Sequence, residues 1–92
     1  MILTPAQCRG ARAMLGWTQT RLAEAAGVAK ATLVDFERDA RSPMTQNLAA
    51  IRRAIEAAGL VLIEADGGGR GIRFSTPDAE DASSSEGDDA DQ

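Results

Sequence analysis

Residues 18–38, TQTRLAEAAGVAKATLVDFER, decide the reading of this chain. Leu22, Ala23, Ala26, Val28, Leu33 and Phe36 supply apolar positions at helical spacing, with polar residues between them. Ala26-Gly27-Val28 interrupts the pattern, and Gly27 supplies the positive φ that a tight turn between two helices needs. The stretch therefore predicts one helix from Thr18, which can cap it, and another from about Lys30 to Arg38. Trp17 before the cap and Leu22 in the second turn fit a hydrophobic staple, a packing role for the single tryptophan.

The flanks extend the pattern. Thr4-Pro5-Ala6-Gln7 reads as a helix start, with Thr4 as cap, Pro5 at the first position and Gln7 closing a capping box. Gly10 inside that helix costs about 1 kcal/mol relative to Ala, so the helix needs packing to hold it, and Gly16 ends it. Ser42-Pro43-Met44-Thr45 breaks the chain before a fourth helix, roughly Thr45 to Ala58, whose Leu48, Ile51, Ile55 and Ala58 form one apolar stripe. Gly59 stops it. Leu60-Val61-Leu62-Ile63, the turn Asp66-Gly67-Gly68-Gly69 and Gly71-Ile72-Arg73-Phe74 then read as a β-hairpin. A two-stranded hairpin is marginal alone and the core is small. Leu60, Leu62, Ile63, Ile72 and Phe74 are therefore expected to find burial in a dimer interface.

Composition bounds the function. The 92 residues carry a net charge of −4, but all ten Lys and Arg lie between Arg9 and Arg73. Seven acids and no base fall in residues 78–92, which leaves the first 77 residues at +3. The chain reads as a mildly basic domain followed by an acidic, Ser-rich tail, residues 75–92, expected to be disordered. No histidine and a single cysteine, Cys8, argue against a metal site or a His-based triad, and the lone thiol fits a reducing cytoplasm. No apolar run is long enough for a membrane span, and no secretory signal is visible. No nucleophile is paired with a base and no phosphate-cradling glycine loop follows a strand, so neither an enzyme nor a cofactor is expected.

Arg12, Leu15-Gly16-Trp17-Thr18-Gln19, Leu22-Ala23, Ala26-Gly27-Val28, Thr32-Leu33, Phe36-Glu37 and Arg41-Ser42-Pro43 together resemble the XRE family, that of phage lambda repressor and Cro-type helix-turn-helix regulators. The resemblance covers about Arg12 to Gly59. It implies an all-α, lambda-repressor-like domain of four or five helices over residues 1–59, here followed by a hairpin at 60–74 and the tail. It further implies a bacterial, cytoplasmic transcription regulator, typically a repressor, that binds a pseudo-palindromic operator in double-stranded DNA as a homodimer.

Roles follow from the resemblance at matching positions. Lys30, Ala31, Thr32 and Asp35 fall where the family reads base edges. Thr18, Gln19, Arg38, Arg41 and Asn47 fall where it meets phosphates, and Gln19 also braces the recognition helix. Arg12 and Glu37 resemble a structural ion pair of the family. Chemically the base-facing set is lean. Lys30 and Thr32 can donate to guanine, Asp35 can accept from cytosine, and Ala31 can touch a thymine methyl. Two departures stand out: Ala29 replaces the usual Ser or Thr cap of the recognition helix, and Asp39 replaces a glycine, a position where aspartate still tolerates the left-handed turn. Arg52 and Arg53 read as a solvated face of the fourth helix. An alternative reading is an antitoxin-like component that binds a toxin partner and autoregulates.

Overall fold

The structure, a computed structural model, describes residues 3–76. The acidic-tail expectation falls on residues 77–92, outside the described residues. Four helices and two strands follow in order: α1 Pro5–Leu15, α2 Gln19–Ala26, α3 Lys30–Glu37, α4 Thr45–Ala57, β1 Leu60–Ile63 and β2 Gly71–Phe74.

Local chemistry sets the boundaries. The Thr4 hydroxyl accepts from the Gln7 N–H at 3.1 Å, and the Gln7 side chain accepts from the Thr4 N–H at 3.0 Å, so the capping box is complete. Thr18 caps α2 through the Arg21 N–H at 3.0 Å. Gly16 and Gly27 end α1 and α2 in the left-handed conformation, with φ of 68° and 72°. Asp39 makes the same turn after α3 with φ of 60°, as its short polar side chain permits. Ala29 leaves α3 without a side-chain cap.

One core joins all six elements. Leu22, Leu33, Ile51, Ile55, Leu60 and Cys8 are its largest fully buried side chains, and Trp17, Leu48, Ile72 and Phe74 pack against it. Trp17 has a second partner, the Arg21 guanidinium 4.9 Å from its ring centroid, a cation–π contact.

The hairpin is antiparallel, with Leu60 opposite Phe74, Leu62 opposite Ile72 and Ile63 opposite Gly71. Its alternation puts Leu60 and Leu62 in the core and leaves Val61 and Ile63 half-buried. The burial demand of Leu60 and Leu62 is thus met within this chain, while Ile72 and Phe74 pack against the core and stay half-buried, as does Ile63. Gln7 explains how the hairpin docks. Its amide, almost fully buried, donates to the Ile63 carbonyl at 3.4 Å and the Gly71 carbonyl at 3.1 Å. Gly10 supplies the space: a Cβ there would lie 3.2 Å from Ile72 Cδ1. The glycine that weakens α1 as an isolated helix lets β2 close on it.

Candidate nucleic-acid interface

α3 is gripped at one end and open at the other. Its first residues, Lys30 and Ala31, are exposed, while Leu33, Phe36 and Glu37 are buried. Thr32 and Asp35 are half-buried on the open side. After the Asp39 turn the chain runs back past α3. Ala31, Thr32, Asp35, Arg41, Ser42, Pro43, Met44 and Asn47 then line one open cleft of about 360 Å³. The fold thus brings Ala31, Thr32 and Asp35 of the base-reading set together with Arg41 and Asn47 of the phosphate set, and leaves Lys30 exposed at the start of the same helix. Met44, 65% exposed, is the sole large apolar side chain left in solvent among the described residues.

Glu37 is the anchor at the closed end. Its carboxylate is 3% exposed and accepts four hydrogen bonds. Arg12 donates through Nε at 2.8 Å and through a terminal guanidinium nitrogen at 2.8 Å. Gln19 donates at 3.0 Å and the Cys8 thiol at 3.1 Å. The Glu37 carbonyl accepts from Arg9, so α1 also satisfies one of the last carbonyls of α3. Arg12 extends further, donating to the Trp17 carbonyl at 3.2 Å. Residues of α1 and the first residue of α2 therefore converge on the last residue of α3 and fix how the helix lies across the domain.

This arrangement tunes both acids. Burial alone raises the Glu37 pKa, but the hydrogen bonds from Arg12, Cys8 and Gln19 and the Arg12 charge outweigh it, so the carboxyl sits below its ordinary value. The Cys8 thiol is pushed well up, first by burial, then by its hydrogen bond to the Glu37 carboxylate and the negative charge there. Cys8 is thus a buried donor to the Glu37 carboxylate. A bidentate Arg–carboxylate bond is among the strongest neutral-pH contacts a small domain can make.

The charged residues expected to meet DNA, with Thr18 and Gln19, divide three ways. Lys30 and Arg41 are exposed and have no ion-pair partner among the described residues. Asp35 and Arg38 pair with each other, Arg38 donating to Oδ1 at 3.0 and 3.3 Å. Their spacing of three along a helix signals that pairing in the sequence itself. The third group is engaged but not exhausted: the Thr18 hydroxyl accepts from the Arg21 N–H and keeps its own proton to give, and one Gln19 N–H is spent on Glu37. Arg52, read as solvated, is instead 15% exposed. It bridges Glu56 at 3.1 Å and Glu64 at 3.7 Å, tying α4 to the residue after β1. Arg53 is exposed as expected.

A helix-turn-helix family model matches residues 9–57, more than half of the chain. No curated protein matches it. Among the described residues, no helix is long and apolar enough to cross a membrane, and no cluster of His, Cys, Asp and Glu could hold a metal.

Proposed function

The chain belongs to the XRE-type helix-turn-helix family of DNA-binding regulators, and from that premise we propose that it is a sequence-specific repressor that binds a pseudo-palindromic operator as a homodimer. The observation that carries this reading is the asymmetry of α3. Its far end is clamped by Glu37 while Lys30 and Ala31 stand exposed at its start, beside the cleft that holds Thr32, Asp35, Arg41 and Asn47. A recognition helix enters the major groove by its N-terminal residues, and a rigid support lowers the cost of presenting them.

In this reading Lys30 donates to a guanine or a phosphate, Thr32 to a base edge, and Ala31 meets a thymine methyl. Arg41 and Asn47 take phosphates across the cleft, and Thr18 and Gln19 take one at the start of α2. Arg38 reaches a phosphate once the DNA competes it away from Asp35, which is then free to accept from cytosine. The dimer surface is narrower than the hairpin as a whole. Leu60 and Leu62 are spent in the core, so Val61 and Ile63 are the hairpin side chains available to a second copy.

The test is selection from a random DNA library with the purified full chain. The expected outcome is a palindrome whose half-sites lie about one helical turn apart. Thr32→Ala should then change base preference at one position of each half-site. Arg41→Ala should weaken all sequences alike and lower the salt slope by about one. Failure to enrich any sequence refutes the specific-regulator reading. Ile63→Arg reports the dimer: it should shift light-scattering mass toward the monomer while the circular dichroism spectrum below the melting transition keeps its helix content.

A further inference from the structure

Residues 78–92 carry seven acids and no base, whereas residues 1–77 carry a net charge of +3. Among the described residues Lys30 and Arg41 are both exposed and without an ion-pair partner; Lys30 starts α3 and Arg41 lines the cleft with Ala31, Thr32 and Asp35, while Arg38, beside Glu37 at the other end of the helix, is held only by an exposed pair to Asp35. Of the other cationic positions, Arg9 and Arg12 are committed to Glu37, Arg52 to two glutamates, and Arg21 lies over Trp17. Arg53, Arg70 and Arg73 are also exposed and without an ion-pair partner among the described residues, but they belong to α4 and the hairpin region and do not line the cleft beside α3. Reach is no obstacle: sixteen residues after Thr76 span up to about 50 Å when extended, and the described domain is 40 Å in its longest dimension. A tethered segment meets a surface on its own domain at an effective concentration of about a millimolar or more, so a weak ionic contact suffices to occupy it.

We infer that, in the free protein, the acidic segment 77–92 occupies the cationic face formed by Lys30, Arg38 and Arg41, and that DNA must displace it. The inference rests on the reading of α3 as the DNA-contacting helix. It makes the tail a built-in competitor that weakens binding to any phosphate backbone and leaves base preference to α3. The segment acts through charge: its carboxylates take the positions of the phosphates and give them up when DNA delivers a denser array.

The test compares the full chain with a full-length variant carrying D78N, E80Q, D81N, E86Q, D88N, D89N and D91N. Every described element is untouched by these changes, and the core lies within residues 3–74. Two measurements test this, and the first separates docking from simple long-range repulsion, which would act without contact. The first is a backbone amide chemical-shift comparison of the two free proteins at low salt. Differences should cluster at Lys30, Ala31, Thr32, Arg41 and Ser42 and fade in high salt. Differences absent, or confined to Arg53, Arg70 and Arg73, overturn the assignment.

The second is affinity for a random-sequence duplex across a salt series. The variant should bind about 3- to 10-fold more tightly at ~50 mM salt, the size a tethered ionic competitor yields. The advantage should vanish near ~300 mM, where the Debye length shrinks to a few ångströms. Equal affinity at every salt refutes the competitor. If neither protein binds DNA, the reading of α3 fails, while the shift map still decides whether the segment docks.

Discussion

Replacing Glu37 by Gln removes one charge from a side chain that four donors converge upon. The amide keeps one oxygen, but its NH₂ must then face Arg12 Nε and the Cys8 thiol, both of which donate. Breaking a buried ion pair by removing one partner costs about 3–5 kcal/mol. Arg12 is 22% exposed, so water can resolvate its guanidinium, and a cost at or just below the bottom of that range, about 2–3 kcal/mol, is expected. A domain of this size has about 4–11 kcal/mol in total. The melting temperature should fall by about 10–20 °C at pH 7, at roughly 4–8 °C per kcal/mol.

Circular dichroism melts and urea titrations measure it. The same variant carries a pH signature. Because the folded-state pKa of Glu37 lies below its ordinary value of about 4.3, its contribution is complete above that pH. It is lost as pH falls through the folded-state value. The gap between wild type and Glu37→Gln should therefore close in strong acid. A loss below about 0.5 kcal/mol at pH 7, where a typical buried pair would cost several times that, refutes the clamp. So does a gap that stays constant down to the lowest pH at which the protein folds. Affinity for a selected operator should fall as well, and measuring it below the melting transition separates a misplaced helix from an unfolded one.

Three further outcomes follow from the same geometry. The Cys8 thiol is raised, so the unfolded chain loses this proton first and stability should decline as pH rises above about 8.5; Cys8→Ala should flatten that decline in melts from pH 7 to 10. Gly10→Ala gains about 1 kcal/mol of helix propensity but places a methyl 3.2 Å from Ile72 Cδ1. It should therefore stabilise more in an Ile72→Val background, which lacks that atom, and equal effects in the two backgrounds would refute the contact. Ala29→Ser supplies the missing cap of α3 and should raise stability by about 0.5–2 kcal/mol in urea titration, with no gain if the new hydroxyl fails to accept from the first turn.

The sequence by itself determined the elements. Thr4 with Gln7, Thr18, Gly16, Gly27 and Asp39 act over three or four residues, through backbone dihedrals and capping bonds that no distant residue can change. The helix ends fell within a residue of expectation for α3 and α4, and both strands were placed at their observed limits. The open face of α3 was legible for the same reason, since helical spacing alone separates Lys30 and Ala31 from Leu33 and Phe36.

Only the tertiary structure decided what holds that face in place. Arg12 and Glu37 could be paired from family resemblance. Cys8 and Arg9 gave no signal of joining them, because a thiol or an arginine on α1 has many chemically equivalent partners until the helices cross. Gln7 looked like a completed cap, and its second task on the hairpin carbonyls, 56 and 64 residues away, has no local signature. Arg52 looked solvated until β1 brought Glu64 within reach of α4. Leu60 and Leu62 asked for burial in the sequence. Whether a second chain or this one would supply it depended on the fit of β2 over Gly10, a close approach that only the packed domain specifies.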